Sequence, residues 1–283
     1  MSLVEDRAHN RAHWEDMAPR WKAWWGQYKP ASQPVSEKLL AFSGITQGQR
    51  VLDLATGMGE PALSFAREVG PEGFVLAIDQ SPQMIAWARE EAIAAGLDNL
   101  RFEVQDAEGL DLGAEPPFDA LVSRWGLMFC LDPVATLQNA RRWLRPGGHL
   151  AAAVWAPPEE APMLDLATRV LERELGIVLP RSGPGPFTLS DFALLAEMIQ
   201  AAGFELVASE KVAVMLPFAS AQAFLSERSA LMPALAEALA GLSLAQRQQY
   251  DQALELAVEP WRSENGINLA NWALCVSARA VAS

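Results

Sequence analysis

Residues 51–61 read Val51-Leu52-Asp53-Leu54-Ala55-Thr56-Gly57-Met58-Gly59-Glu60-Pro61. A compact apolar run ending in small residues predicts a buried strand over Arg50–Ala55. A helix over Pro61–Val69 follows at once. Small residues at such a turn let the backbone approach a ligand closely and take positive φ. The free N–H groups of the helix start face the same place. On the glycines alone, an ordinary tight turn is an equally good reading.

Downstream the alternation continues. Phe74–Ile78 is a strand ending at Asp79, and Ser81-Pro82 is an N-cap followed by a first-turn proline. The helix it opens runs to about Ala95, where Gly96 stops it. Leu100–Gln105 and Phe118–Ser123 are the third and fourth strands. Pro133–Leu144 is a helix, Arg145-Pro146-Gly147-Gly148 a turn, and His149–Trp155 a fifth strand. This β-α-β rhythm predicts a mostly parallel sheet with helices on both faces, a doubly wound α/β fold that binds ligands at the carboxyl ends of its strands. Upstream, residues 4–26 and 34–43 are two helices separated at Lys29-Pro30, the second stopped near Gly44. After Trp155 come a helix at 162–175, a loop over Pro180–Pro186, and a helix over Asp191–Ala202 capped by Ser190. Phe204–Leu216 is a sixth strand. Residues 219–258 are helical with breaks near Pro233 and Gly241, and Asn268–Ala280 is a last strand.

Composition narrows the function. With 51% hydrophobic and 20% charged residues, a chain of 283 residues holds a large core under a hydrated surface. A net charge of −13 disfavours nucleic acid and anionic membrane as partners. The first residues, MSLVEDRAHNRAHWED, contain no apolar h-region, so a secretory leader is not expected. Cys130 and Cys275 lack metal or redox spacing and read as buried thiols in a reducing compartment, which points to the cytoplasm. No metal-ligand cluster is present in the sequence. Ten tryptophans include Trp14, Trp21, Trp24 and Trp25, which either staple the N-terminal helix to the body or form an aromatic lid over a pocket.

The strand ends supply the chemistry. Asp79 sits where a carboxylate accepts from two ribose hydroxyls; its alternative is a helix N-terminal acid. Asp106-Ala107-Glu108 closes the third strand, where a carboxylate accepts from a purine amine or forms a solvated turn. The fourth strand ends Ser123-Arg124-Trp125-Gly126, followed by Leu127-Met128-Phe129-Cys130. Its carbonyls suit an ammonium group, and Trp125, Met128 and Phe129 suit an apolar pocket to which Phe187 and the N-terminal tryptophans add. Arg124 either holds a substrate carboxylate or pairs with an acid on a neighbouring helix.

The series Asp-x-Ala-x-Gly-x-Gly (Asp53–Gly59), Asp79, Asp-Ala-Glu (106–108), Phe-Asp-x-x-x-Ser (118–123) and Leu-Arg-Pro-Gly-Gly (144–148) resembles class I S-adenosylmethionine-dependent methyltransferases, in the branch related to ubiquinone and menaquinone methyltransferases. Ala55 stands where many members have glycine. The resemblance implies that Asp53 and the loop Ala55, Thr56, Gly57 and Gly59 contact the methionine part of the cofactor. It implies Asp79 for the ribose, Gln80 and Met84 beside the adenine, Asp106, Ala107 and Glu108 at the adenine amine, and Ser123 near the methionine amine.

The resemblance further implies a Rossmann-like seven-stranded sheet with an antiparallel last strand, in a single domain over 1–283. Residues 1–30 would be an N-terminal lid, 35–156 the cofactor-binding core, and 157–188 and 219–258 cap insertions. The expected reaction is methyl transfer to a small acceptor, apolar, aromatic or isoprenoid, by in-line displacement. A general base is needed only for a neutral acceptor of high pKa, and His9, His13, Glu15 and Tyr28 are the candidates. A nicotinamide oxidoreductase would place a third glycine near Pro61 or Ala62, and none is there. A cofactor-binding protein without turnover is the other alternative.

Overall fold

In the computed structural model, which describes residues 3–180 and 183–281, one sheet forms the centre. Strands β1 (Arg50–Leu54), β2 (Phe74–Asp79), β3 (Leu100–Val104), β4 (Phe118–Arg124) and β5 (Leu144–Trp155) run parallel. The order is β3-β2-β1-β4-β5-β8-β6, with β6 at Phe204–Phe218 and β8 at Gly266–Ala280. Strand β8 lies antiparallel between β5 and β6. This is the doubly wound mixed sheet expected from the sequence. An eighth strand, β7 (Arg262–Ser263), adds a two-residue ladder to the start of β8, too short for any periodicity to announce. The chain reverses direction across the sheet between β1 and β4, which opens the ligand crevice there.

The largest departure is α1, a single helix over Leu3–Ser43 that contains Pro19, Pro30 and Pro34. The break expected at Lys29-Pro30 does not form. A proline inside a helix costs roughly 3 kcal/mol, but burying a large apolar side chain returns roughly 1.5–3 kcal/mol. Around these prolines α1 buries Trp24, Trp25, Tyr28, Val35 and Leu39 against the core. Burial therefore outweighs local propensity. The Ser32 hydroxyl donates to the Lys29 carbonyl at 3.0 Å, adding a polar bond inside the proline-bearing stretch.

Helices α2 (Ala62–Val69), α3 (Pro82–Ala94) and α4 (Pro133–Arg141) form the crossovers. Ser81 caps α3 by accepting from the Met84 amide at 3.2 Å. The turn expected at 145–148 lies within β5, where the register with β4 shifts and Gly147 takes φ 71°. Helices α5 (Pro162–Leu175) and α6 (Phe192–Ala201) precede β6, and Asp191, rather than Ser190, caps α6. The Pro180–Pro186 loop is only partly placed, since 181–182 lie outside the described residues. Helices α7 (Ala221–Leu231), α8 (Pro233–Ala240) and α9 (Leu244–Ala257) fill the connection from β6 to β7.

Helix α5 packs on α7 and α9. The Tyr250 hydroxyl on α9 donates to the Ala167 carbonyl on α5 at 3.0 Å. Asn271 of β8 is fully buried; its Oδ1 accepts from the Met163 amide at 2.8 Å, and its Nδ2 donates to the Val214 and Leu269 carbonyls. Asn271→Leu strands these groups without water and is expected to cost about 2–3 kcal/mol in urea unfolding. An unchanged midpoint would show that the anchor contributes nothing. Among the described residues, no helix is long and apolar enough to cross a membrane, and no group of three or more His, Cys, Asp or Glu is placed to hold a metal.

Candidate active site

The loop after β1 is built for close approach. Ala55, Gly57 and Gly59 have φ of 58°, 56° and 101°. The left-handed form is costly for alanine, and the Thr56 amide, donating to the Ile78 carbonyl at 2.9 Å, helps hold the turn against β2. A side chain at Gly59 would crowd Leu63 and Ala88, so glycine lets the loop pack on α3.

Asp79 ends β2 facing this loop. Its Oδ2 accepts from the Gly57 amide at 2.8 Å and its Oδ1 from the Ser81 amide at 2.9 Å. Burial raises its pKa, and those two amides oppose the rise. One carboxylate thus braces both loops while each oxygen keeps a free lone pair.

Asp53 lies in β1, just before the same loop, and is 1% exposed. Neither of its carboxylate oxygens has a hydrogen-bond partner, and nor has the Thr56 hydroxyl. Burial pushes Asp53 up to about 7; the nearby Thr56 hydroxyl, Arg124 and the Ala62 amide pull it down without completing a hydrogen bond. Three buried oxygens without partners are costly unless a donor arrives. A ligand ammonium suits them, so these residues fit the methionine end of the cofactor that the motif series implies.

The carboxyl ends of β3 and β4 close the crevice. Asp106 accepts from the Glu108 amide at 3.0 Å. Glu108 accepts from the Leu131 and Asp132 amides at 3.0 and 3.2 Å, so its carboxylate ties the two loops together. Ser123 donates to the Leu54 carbonyl at 3.1 Å, which turns its hydroxyl into the sheet. Trp125 has φ 61° and stacks on Trp155 with centroids 4.6 Å apart. Gly126 sits where β1 and β4 pinch together; a Cβ there would lie 2.6 Å from the Ala55 Cβ and 2.7 Å from the Ser123 Oγ.

The amino-terminal half of α1 crosses the same strand ends. The Arg7 Nη2 donates to the Glu108 carbonyl at 3.2 Å and its Nε lies 4.0 Å from Asp106. Asn10 donates to the Phe129 carbonyl at 3.2 Å, and Trp14 meets the Phe129 ring edge-on. Glu15 accepts from the Ser81 hydroxyl at 2.5 Å. On the far flank Trp24 donates to Glu227 of α7 at 2.7 Å and stacks on Tyr28, whose ring neighbours Trp125.

The comparisons agree with this geometry. Residues 45–172 match the family model described as a methyltransferase domain. The ubiquinone/menaquinone biosynthesis C-methyltransferase UbiE of Klebsiella pneumoniae (strain 342) is 31% identical, over 58% of this chain and 70% of its own length. The chain belongs to the class I S-adenosylmethionine-dependent methyltransferases, in the UbiE-like branch. UbiE of Edwardsiella ictaluri is 37% identical over 41% of this chain and 47% of its own. The chain therefore spans about half the length of the first curated relatives it matches. A solved structure from Bacillus halodurans C-125 has the same fold, with a TM-score of 0.58 at 17% identity, covering 87% of this chain and 99% of the other.

Asp53, the 55–59 loop, Asp79, Gln80, Met84, Asp106 and Ala107 lie at or just after the carboxyl ends of β1, β2 and β3, with Met84 buried and Gln80 half-buried. Four expected residues are placed differently. Arg124 points beneath α1 rather than into an open pocket, Met128 is 1% exposed in the core, Ser123 faces β1, and Glu108 is engaged by loop amides. His9 and His13 lie on the exposed surface of α1. Tyr28 is buried, which raises its phenol pKa against the pull of Arg124 and makes it a poor base. Arg7, Asn10 and Glu60 were not singled out from the sequence, although Arg7, Asn10 and Trp14 follow the i, i+3, i+7 spacing of one helix face.

Proposed function

We propose that this chain binds S-adenosylmethionine in the β1–β4 crevice and transfers its methyl group to a small apolar acceptor, aromatic or isoprenoid. The carrying observation is the pairing of three partnerless oxygens on Asp53 and Thr56 with the doubly braced Asp79 across one glycine-rich loop. Asp53 and Thr56 would take the methionine ammonium, Asp79 the ribose hydroxyls, and Gln80, Met84, Asp106 and Ala107 the adenine. The cofactor, when bound, supplies a methyl group on a sulfonium sulfur whose departure leaves a neutral thioether. The protein's own work is alignment and exclusion of water, worth roughly 7–11 kcal/mol when alignment is good. In this reading α1 is the cover over the crevice, held by Arg7, Asn10, Trp14 and Glu15. The UbiE relatives are named as C-methyltransferases of ubiquinone and menaquinone biosynthesis. An acceptor ring suits the aromatic cluster of Trp24, Tyr28 and Trp125. Two unpaired, buried thiols suit a reducing compartment such as the cytoplasm.

Calorimetry with S-adenosylhomocysteine tests this reading. Micromolar binding is expected, and Asp79→Ala should weaken it at least about 100-fold, because a half-buried charged acceptor of two hydroxyls and a brace for two loops is lost together. A folded parent that binds neither S-adenosylhomocysteine nor S-adenosylmethionine would overturn it. Acceptor screening follows, and selective binding of sugars over aromatic or isoprenoid compounds would overturn the acceptor class.

A further inference from the structure

Beside the cofactor acids lies a buried polar cluster that the family motifs leave unassigned. Asp53 pairs in register with Val122, so Arg124, two residues on, lies on the same sheet face. That face is covered by α1. Arg124 is 6% exposed. Its Nη1 donates to the Ser36 hydroxyl at 2.8 Å, the Ser32 hydroxyl at 3.2 Å and the Ser32 carbonyl at 3.4 Å, while its Nε has no partner. None of these acceptors is charged, so the guanidinium is held in place by neutral oxygens and its charge stays available. Its Cζ lies over the Trp125 ring, 5.0 Å from the centroid.

The charges facing it are few. Burial lowers the guanidinium's pKa, and Tyr28 from α1, Glu60 from the loop before α2 and Asp53 from β1 oppose that fall. Glu60 is 4% exposed, accepts from the Ser64 hydroxyl at 2.8 Å, and has Arg67 of α2 at 4.0 Å. Gln33 of α1 donates to Ser64, which joins α1 to the same network. With both acids ionised, Arg67 lies beside Glu60 at 4.0 Å and Arg124 beside Asp53 on one sheet face, which leaves the partnerless Asp53 oxygens as the acceptors for a ligand ammonium. Remove the guanidinium, and two carboxylates share a site closed to water, a situation that drives one of them to take up a proton.

We infer that Arg124 is a positioning residue which keeps Asp53 ionised for the cofactor's ammonium group, and that Ser32 and Ser36 in the proline-bearing stretch of α1 exist to hold its guanidinium there. The inference rests on the cofactor reading above. It also assigns a purpose to the continuous helix, since a break at Pro30 would displace both serines.

The test is S-adenosylhomocysteine calorimetry between pH 6 and 9, in buffers of different ionisation enthalpy that report protons released on binding. The parent should bind more weakly below about pH 7, where Asp53 is protonated. In Arg124→Gln the acid limb of the profile should move up by about one pH unit or more, giving about tenfold weaker binding at pH 7 that recovers at pH 9, with more protons released. Arg124→Lys keeps a charge and should restore much of the parent's profile. If Gln destabilises the fold, far-ultraviolet circular dichroism shows it, and Ser36→Ala, which loosens the guanidinium without deleting it, should show the same shift in smaller measure. Equal weakening at every pH, or a parent-like profile, in Arg124→Gln and Ser36→Ala overturns the inference. Failure of the parent itself to bind overturns the cofactor reading instead.

Discussion

Asp53→Asn is expected to make the ligand-free protein more stable at pH 8 and to abolish cofactor binding. Asp53 is almost fully buried without a hydrogen-bond partner, and burial holds its pKa at about 7 against an ordinary value of 3.8. A carboxyl whose pKa rises on folding contributes its full stability only below the unfolded value, and that stability is lost as pH climbs through the folded value. The native protein therefore carries a destabilising charge above about pH 7. Asparagine has the same shape without the charge, so the variant should gain about 2 kcal/mol in urea unfolding at pH 8. The gain should shrink toward zero near pH 4, where aspartic acid is itself neutral. Binding of S-adenosylhomocysteine should fall at least about 100-fold, since the ammonium loses its charged partner in a buried site. A variant no more stable than the parent at pH 8 would mean that Asp53 is solvated or paired in solution. A stability that is set aside for function is expected at such a position.

The same site shows how far sequence carried and where it stopped. The β1 loop, Asp79 and the Ser81 cap were legible because each depends on local rules: small residues at a tight turn, an acid at a strand end, a hydroxyl before a first-turn proline. The mostly parallel, doubly wound sheet followed from the β-α-β rhythm. The continuity of α1 was not legible, because the term that decides it is burial of Trp24, Trp25, Tyr28, Val35 and Leu39 against elements distant in sequence. Propensity at Lys29-Pro30 predicted a break. The direction of Arg124 was hidden for the same reason. Its partners Ser32 and Ser36 lie about ninety residues away, Ser32 in the gap read between two helices and Ser36 early in the second of them. His9 and His13 lie on the exposed face of α1; the lid reading of the N-terminal tryptophans reached Trp14, but Arg7 and Asn10, which turn toward the crevice beside it, carried no signal of their own.

Gly126→Ala should damage fold and site together, more than its single added methyl group suggests. Gly126 has an ordinary negative φ of −91°, so backbone strain is not the reason for glycine here. Space is. The new Cβ would lie 2.6 Å from the Ala55 Cβ, 2.7 Å from the Ser123 Oγ and 3.2 Å from the Leu54 carbonyl oxygen. None of these is the far end of a flexible side chain. Ala55 is held at φ 58° in a turn secured by the Thr56 amide, and the Ser123 hydroxyl already donates to Leu54. The two strand ends must therefore part by several tenths of an ångström at least, the overpacking case that typically costs about 1–3 kcal/mol. Parting them moves the loop that carries Thr56 and Gly57 away from Asp79. Binding of S-adenosylhomocysteine should weaken by about tenfold or more, because charge-assisted hydrogen bonds lose strength quickly with misalignment. Thermal unfolding and calorimetry on one preparation separate the two effects. Loss of stability with unchanged affinity would show that the crevice relaxes elsewhere and that the pinch between β1 and β4 does not set the cofactor loop. Loss of both would locate the geometry of the site in the close contact of two strand ends, where a hydrogen atom is the largest side chain that fits.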